Sequence, residues 1–226
     1  FFHHIYLYIS MISNNLIYMI LDNILIDGNK EAKNLLILAH GAGSPMDSVF
    51  MNTMVKGIID RDILVIRFEF PYMTKRRLGK NSFPDKITSL CLFYKDIFYQ
   101  IKNIYSKKNI WIGGKSMGGR VSAIISSEIN VKGVIVLGYP FHPINNKDKL
   151  RLDCLQSSGP PILIIQGTRD KLGSIKEVNN YTLHKKNSLF WIEDGDHSYN
   201  TLKKSKYNSE NSIKKAYFKV SDFIIE

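Results

Sequence analysis

Short apolar runs alternate with longer amphipathic stretches along most of this chain. Residues 35–39, 63–68, 110–112, 134–137 and 162–165 are mostly apolar at successive positions, as expected of parallel strands buried on both faces. Between them, residues 47–59, 85–105, 117–128 and 174–185 carry apolar positions at helical spacing, and 210–225 reads as a closing helix. Residues 16–20 and 24–26 are expected to form an antiparallel edge pair. Strands that alternate with helices predict an α/β fold with a doubly wound, mostly parallel sheet and helices on both faces. Ligands of such sheets sit at the carboxyl ends of the strands. No internal repeat or low-complexity linker interrupts the pattern, so residues 11–226 read as a single domain.

Every polar motif of interest falls at a predicted strand end. After residues 110–112 the chain reads Gly113-Gly114-Lys115-Ser116-Met117-Gly118-Gly119, which contains G-x-S-x-G between a predicted strand and a predicted helix. The turn is so tight that side chains two residues either side of Ser116 would collide. It lifts the Ser116 hydroxyl clear of the sheet, and the helix from Met117 aims its N-terminal dipole at developing negative charge. A phosphate-binding loop needs glycine five residues before Gly114; Asn109 stands there, so that alternative fails.

The run 35–39 ends in His40-Gly41-Ala42-Gly43, where this architecture supplies a second oxyanion N–H. Ala42 is the expected donor, with Gly43 as the other candidate, and Met117 provides the first. His40 reads as a turn-stabilising residue. Residues 162–165 lead into Asp170, and His197 follows the strand-like 189–192 on a glycine-containing loop. Ser116, Asp170 and His197 thus occur in the order nucleophile, acid, base. Asp194 and Asp196 are rival acids, but so close to His197 in sequence that they suit shaping its loop. In the expected mechanism His197 takes the Ser116 proton, two N–H groups hold the oxyanion, Asp170 fixes the imidazole tautomer, and water releases the acyl group. Neither metal nor cofactor is called for.

Composition adds limits. The net charge of +11 invites a nucleic-acid reading, but the lysine doublets are scattered and no RNP, zinc-finger or basic-helix motif accompanies them, so no nucleic-acid partner is expected. Cys91 and Cys154 are isolated and read as reduced, buried thiols, which suits a cytoplasmic location. Residues 1–10 lack a basic segment and a cleavage site, and Asn14 and Asn15 break the apolar run before it could span a membrane. Met11 is the expected natural start, with residues 1–10 an extension.

Several stretches resemble one family beyond the elbow. Residues 40–51 (HGAGSPMDSVFM), 67–77 (RFEFPYMTKRR), 113–120 (GGKSMGGR), 138–143 (GYPFHP) with Leu150-Arg151, 166–173 (QGTRDKLG) and Asp196-His197-Ser198 resemble the small KANL/Tex-type α/β-hydrolase-like family, shared by a testis-expressed protein and a subunit of the NSL histone-acetyltransferase complex, and its bacterial branch most. The resemblance spans roughly residues 33–225. It implies a minimal α/β-hydrolase fold without a large cap, related to dienelactone hydrolases, and leaves the substrate open. Some eukaryotic relatives resemble scaffold subunits, so a catalytically silent interaction protein and an acyltransferase stand beside the leading expectation, a hydrolase of an ester, thioester or lactone. Loops after two strands are expected to rim the pocket. Tyr72, Tyr139 and Phe141 are candidates for an acyl site, and Arg76, Arg77 and Lys80 for meeting an anionic group on a small-molecule acyl substrate.

Overall fold

The computed structural model describes residues 24–226. The reading of residues 1–10 as an extension, and the edge strand expected at 16–20, lie outside them. Among the described residues seven strands form one sheet in the order β1-β3-β2-β4-β5-β6-β7. They are β1 Ile24–Asp27, β2 Asn34–Ala39, β3 Ile63–Phe68, β4 Asn109–Lys115, β5 Val134–Leu137, β6 Ile162–Gly167 and β7 Ser188–Ile192. All neighbours pair in parallel except β1 with β3.

Strand residues alternate between two apolar layers. Leu35 and Ile37 of β2, Leu64 and Ile66 of β3 and Val134 and Val136 of β5 belong to one layer. Leu36, Leu38, Ile63, Val65, Ile135 and Leu137 belong to the other. A strand apolar on both faces needs cover on both. Helices α3 (Ile87–Ile104) and α4 (Met117–Ile125) cover the first layer, and α1 (Val49–Ile59) and α7 (Ser209–Ile225) the second. The chain leaves β2 toward β3 on one side and later returns to β4 on the other. The resulting switch point, between β2 and β4, puts the turn after Ala39 beside the turn after Lys115.

Residues 24–26 pair antiparallel with β3; their expected pairing with 16–20 lies outside the described residues. Two expectations need correction. The stretch 70–77, read as a loop, contains helix α2 (Pro71–Arg77), with proline at its first position and Lys75, Arg76 and Arg77 in its last turn. Proline's fixed φ suits that first position, and basic side chains suit the helix end. The helix expected over 174–185 stops after α6 (Ile175–Val178). Asn179 and Asn180 weaken its continuation. Later polar groups bond to the short α5 (Asp153–Gln156) instead: the His184 N–H and the Asn187 amide both donate to the Leu155 carbonyl. Among the described residues no helix is long and apolar enough to cross a membrane.

Candidate active site

The junction of β4 and α4 is sterically closed around Ser116. Ser116 itself takes φ +50° and ψ −110°, a region that costs a non-glycine residue about 1–3 kcal/mol. Its neighbours leave no alternative path. A Cβ on Gly114 would lie 2.5 Å from the Gly118 carbonyl carbon, and one on Gly118 would lie 2.5 Å from the His40 carbonyl oxygen. The Ser116 N–H donates to Leu137 and its carbonyl accepts from the Arg120 N–H, so the turn is pinned on both sides. The half-buried Ser116 hydroxyl has no hydrogen-bond partner among the described residues.

The facing turn is built by a buried histidine. His40 Nδ1 lies 2.7 Å from the Gly41 carbonyl, and His40 Nε2 accepts from the Phe70 N–H at 3.0 Å. Both bonds are satisfied by the neutral ring with its proton on Nδ1. Burial lowers the His40 pKa and favours that neutral form. The main-chain N–H groups of Ala42 and Met117 have no partner among the described residues.

Asp170 and His197 meet from different loops. Asp170 is fully buried just after β6, and its Oδ2 lies 2.6 Å from His197 Nδ1. The Leu172 N–H donates to Asp170 Oδ1 at 2.8 Å, and Gln166 Nε2 donates to Oδ2 at 2.8 Å. The carboxylate therefore has donors on both oxygens, which compensates its removal from water. Asp194 is engaged elsewhere, in an ion pair with Arg169 at 2.6 Å. Asp196 Oδ1 accepts from the N–H groups of Ser198 and Asn200 and so shapes the loop that carries His197. Ser116 and His197 line one cavity of about 530 Å³, with Gly41, Ala42, Gly43, Val49, Phe50 and Leu172 among its other walls.

A model of the alpha/beta hydrolase domain matches residues 32–225. The chain belongs to the alpha/beta hydrolase family. Solved structures of distantly similar proteins show the same fold. An α-β serine hydrolase homologue from Coxiella burnetii has TM-score 0.69 and 17% identity, covering 89% of this chain and 90% of that one. Est1E from Butyrivibrio proteoclasticus, with ferulic acid bound, has TM-score 0.69 and 15% identity, covering 90% and 96%. A serine hydrolase without lid from Xanthomonas campestris has TM-score 0.66 and 15% identity, covering 90% and 89%.

In this alpha/beta hydrolase domain the rim candidates take up scaffold positions. Tyr72 is buried, and its hydroxyl lies 3.1 Å from the Gly41 carbonyl and 3.2 Å from that of Ala42. Arg76 donates to the carbonyls of Ala42 and Ser82. Arg77 pairs with Glu69 and Asp47. Tyr139 and Phe141 are buried in the first apolar layer, and the Tyr139 hydroxyl donates to the Arg151 carbonyl. None of these five lines the cavity at Ser116. A separate cavity of about 340 Å³, lined in part by Arg120, Tyr139, Arg151 and Cys154, contains neither Ser116 nor His197.

The structure also reveals supporting residues that the sequence did not single out. Buried Arg67 donates to the Met46 carbonyl and the Asn52 side chain, and pairs with Asp27. Buried Glu69 accepts from the Met46 N–H and from Arg77. The stretches 67–77 and 40–51 thus clamp one another and hold the turn of Gly41 and Ala42. Gln166 accepts from the Tyr139 N–H while donating to Asp170. Lys115 donates to the His197 carbonyl at 2.7 Å. A buried glutamine at a strand end and a lysine inside the glycine motif were the available signals.

Proposed function

We propose that this chain is a serine hydrolase that cleaves an ester, thioester or lactone through an acyl-enzyme on Ser116. The observation that carries the reading is His197, bonded to the buried Asp170 and sharing a cavity with a serine held at positive φ. His197 Nε2 accepts the Ser116 proton as Oγ bonds to the acyl carbon, and the oxyanion forms beside the Ala42 and Met117 N–H groups. The imidazolium returns that proton to the leaving oxygen or sulfur. Water then adds to the acyl carbon with His197 again as base, and Ser116 leaves with the proton. Asp170 holds the Nδ1 proton throughout. Within the superfamily, the motifs at 40–51, 67–77 and 166–173 favour the KANL/Tex-type family, bacterial branch.

The cavity favours a neutral acyl group. Val49, Phe50 and Leu172 line it, the lysine on its wall, Lys115, is bonded to the His197 carbonyl, and Arg76 and Arg77 are engaged with carbonyls and carboxylates. The ferulic acid in Est1E is consistent with an extended acyl group in this fold. The test is hydrolysis of p-nitrophenyl hexanoate against the succinate half-ester. The hexanoate should have the higher kcat/KM, and Val49→Asp should lower it about 10-fold, the low end of the effect of a methylene-sized loss in an apolar site. Val49 is 84% exposed at the first position of α1. An aspartate there suits the helix dipole, so the melting temperature should not fall. Turnover of neither ester would count against the hydrolase reading, and preference for the succinate against the apolar site.

A further inference from the structure

Lys115 is a cation in an unusual place. It stands between Gly114 and Ser116, is 8% exposed, and forms no ion pair among the described residues. Its Nζ donates to the His197 carbonyl at 2.7 Å and lies 5.4 Å from the Phe50 ring centroid. Gly138, after β5, closes the group. A Cβ there would lie 3.1 Å from Lys115 Nζ, 3.0 Å from the His197 carbonyl oxygen and 3.2 Å from His197 Cε1. Ammonium, imidazole and the Gly138 main chain therefore pack as one unit. The charged or titratable groups facing Lys115 are Asp170 after β6, and Asp196 and His197 on the loop after β7; α1 presents Phe50. Burial lowers the Lys115 pKa to about 8. A buried cation without a bonded carboxylate opposes folding, whereas an apolar side chain would not.

We propose that Lys115 is a positioning residue whose ammonium ties the His197 main chain to the elbow strand and so fixes the imidazole over Ser116. The inference rests on the hydrolase reading. Asp170 restrains the ring at Nδ1 only, and His197 sits on a loop whose neighbours Asp194 and Tyr199 adopt positive φ. A bond to the His197 carbonyl supplies a second point of attachment. It spans 82 residues of sequence and joins the residue before the nucleophile to the main chain of the base.

The test is Lys115→Met, which keeps length and removes charge and donor. On an ester turned over by the wild type, kcat should fall about 10–100-fold, the effect of misplacing a reacting group by an ångström, with KM little changed. Wild-type kcat should decline on the alkaline side as the ammonium becomes the weaker amine donor near pH 8; the methionine variant should lack that decline. Wild-type stability should rise with pH between about 8 and the ordinary lysine value near 10.4, because the folded state gives up this proton first. The melting temperature of the variant relative to wild type should therefore be highest near pH 7 and fall by pH 10. A purely structural lysine would instead give a variant with lowered stability at pH 7 and unchanged kcat in its folded fraction. For rescue, Lys115→Cys in a Cys91→Ala, Cys154→Ala background, alkylated with 2-bromoethylamine, should recover kcat. Unchanged kcat and an unchanged alkaline limb in the methionine variant would overturn the proposal. A separate readout needs no substrate: the NMR signal of His197 Cε1–Hε1 should be single in wild type and broadened or split in the variant. An unchanged signal would overturn the positioning role, whereas absence of esterase activity in wild type with a changed signal would overturn only the hydrolase reading.

Discussion

Asp170→Asn should lower kcat on any ester the wild type hydrolyses by about 10⁴, the loss that the equivalent exchange causes in a Ser-His-Asp protease. The surroundings of Asp170 sharpen this expectation. Both carboxylate oxygens face donors, Leu172 N–H on one side and Gln166 Nε2 with His197 Nδ1 on the other. An asparagine that keeps its oxygen toward Leu172 turns its NH₂ toward Gln166 and His197. The imidazole then accepts at Nδ1 and carries its proton on Nε2, where it can no longer take one from Ser116. The unmatched donors should also cost stability, about 1–3 kcal/mol. Asp196→Asn retains an oxygen for Ser198 and Asn200, and Asp194→Asn loses an ion pair that is partly exposed. Both should stay within about tenfold of wild type, since exposed ion pairs contribute little. A crippled Asp196→Asn beside a near-normal Asp170→Asn would reassign the acid.

Gly118→Val should fail to fold normally. Its Cβ would stand 2.5 Å from the His40 carbonyl oxygen and 2.8 Å from the Ala39 Cβ, where β2 and α4 touch across the switch point. Neither contact is the movable end of a side chain. The cost should exceed about 3 kcal/mol, a large part of the stability of a typical domain, so the melting temperature should drop by several degrees or soluble protein be lost. A folded variant with a wild-type melting temperature would contradict the close packing of elbow and turn.

How far the sequence could carry this account depends on the range of each interaction. Val134–Leu137 and Ile63–Phe68 were legible because strands covered on both faces are apolar nearly throughout, a property of the segment itself. Ser116 stood out because the glycines that permit its turn are its own neighbours in the chain. Helix α6 was overestimated because its periodicity continues past Val178, whereas the polar groups that end it find partners on α5. The Phe70–Arg77 stretch looked like a loop because Pro71 breaks helices in their interior yet begins them well. Lys115, Gln166, Arg67 and Glu69 were not assigned roles, since each acts through contacts with residues far away in sequence. Tyr72, Arg76 and Arg77 looked available for a substrate, and only the structure shows the carbonyls and carboxylates that engage them.

The central claim is that Ser116 is a nucleophile activated by His197. Its most direct measurement is covalent labelling of the folded protein by a fluorophosphonate, followed by mass mapping of the adduct. The account predicts one adduct, on the peptide containing Ser116, formed by the wild type, lost in a folded Ser116→Ala variant and strongly slowed in His197→Ala. Absence of labelling in the wild type, or labelling that persists in Ser116→Ala, would contradict it.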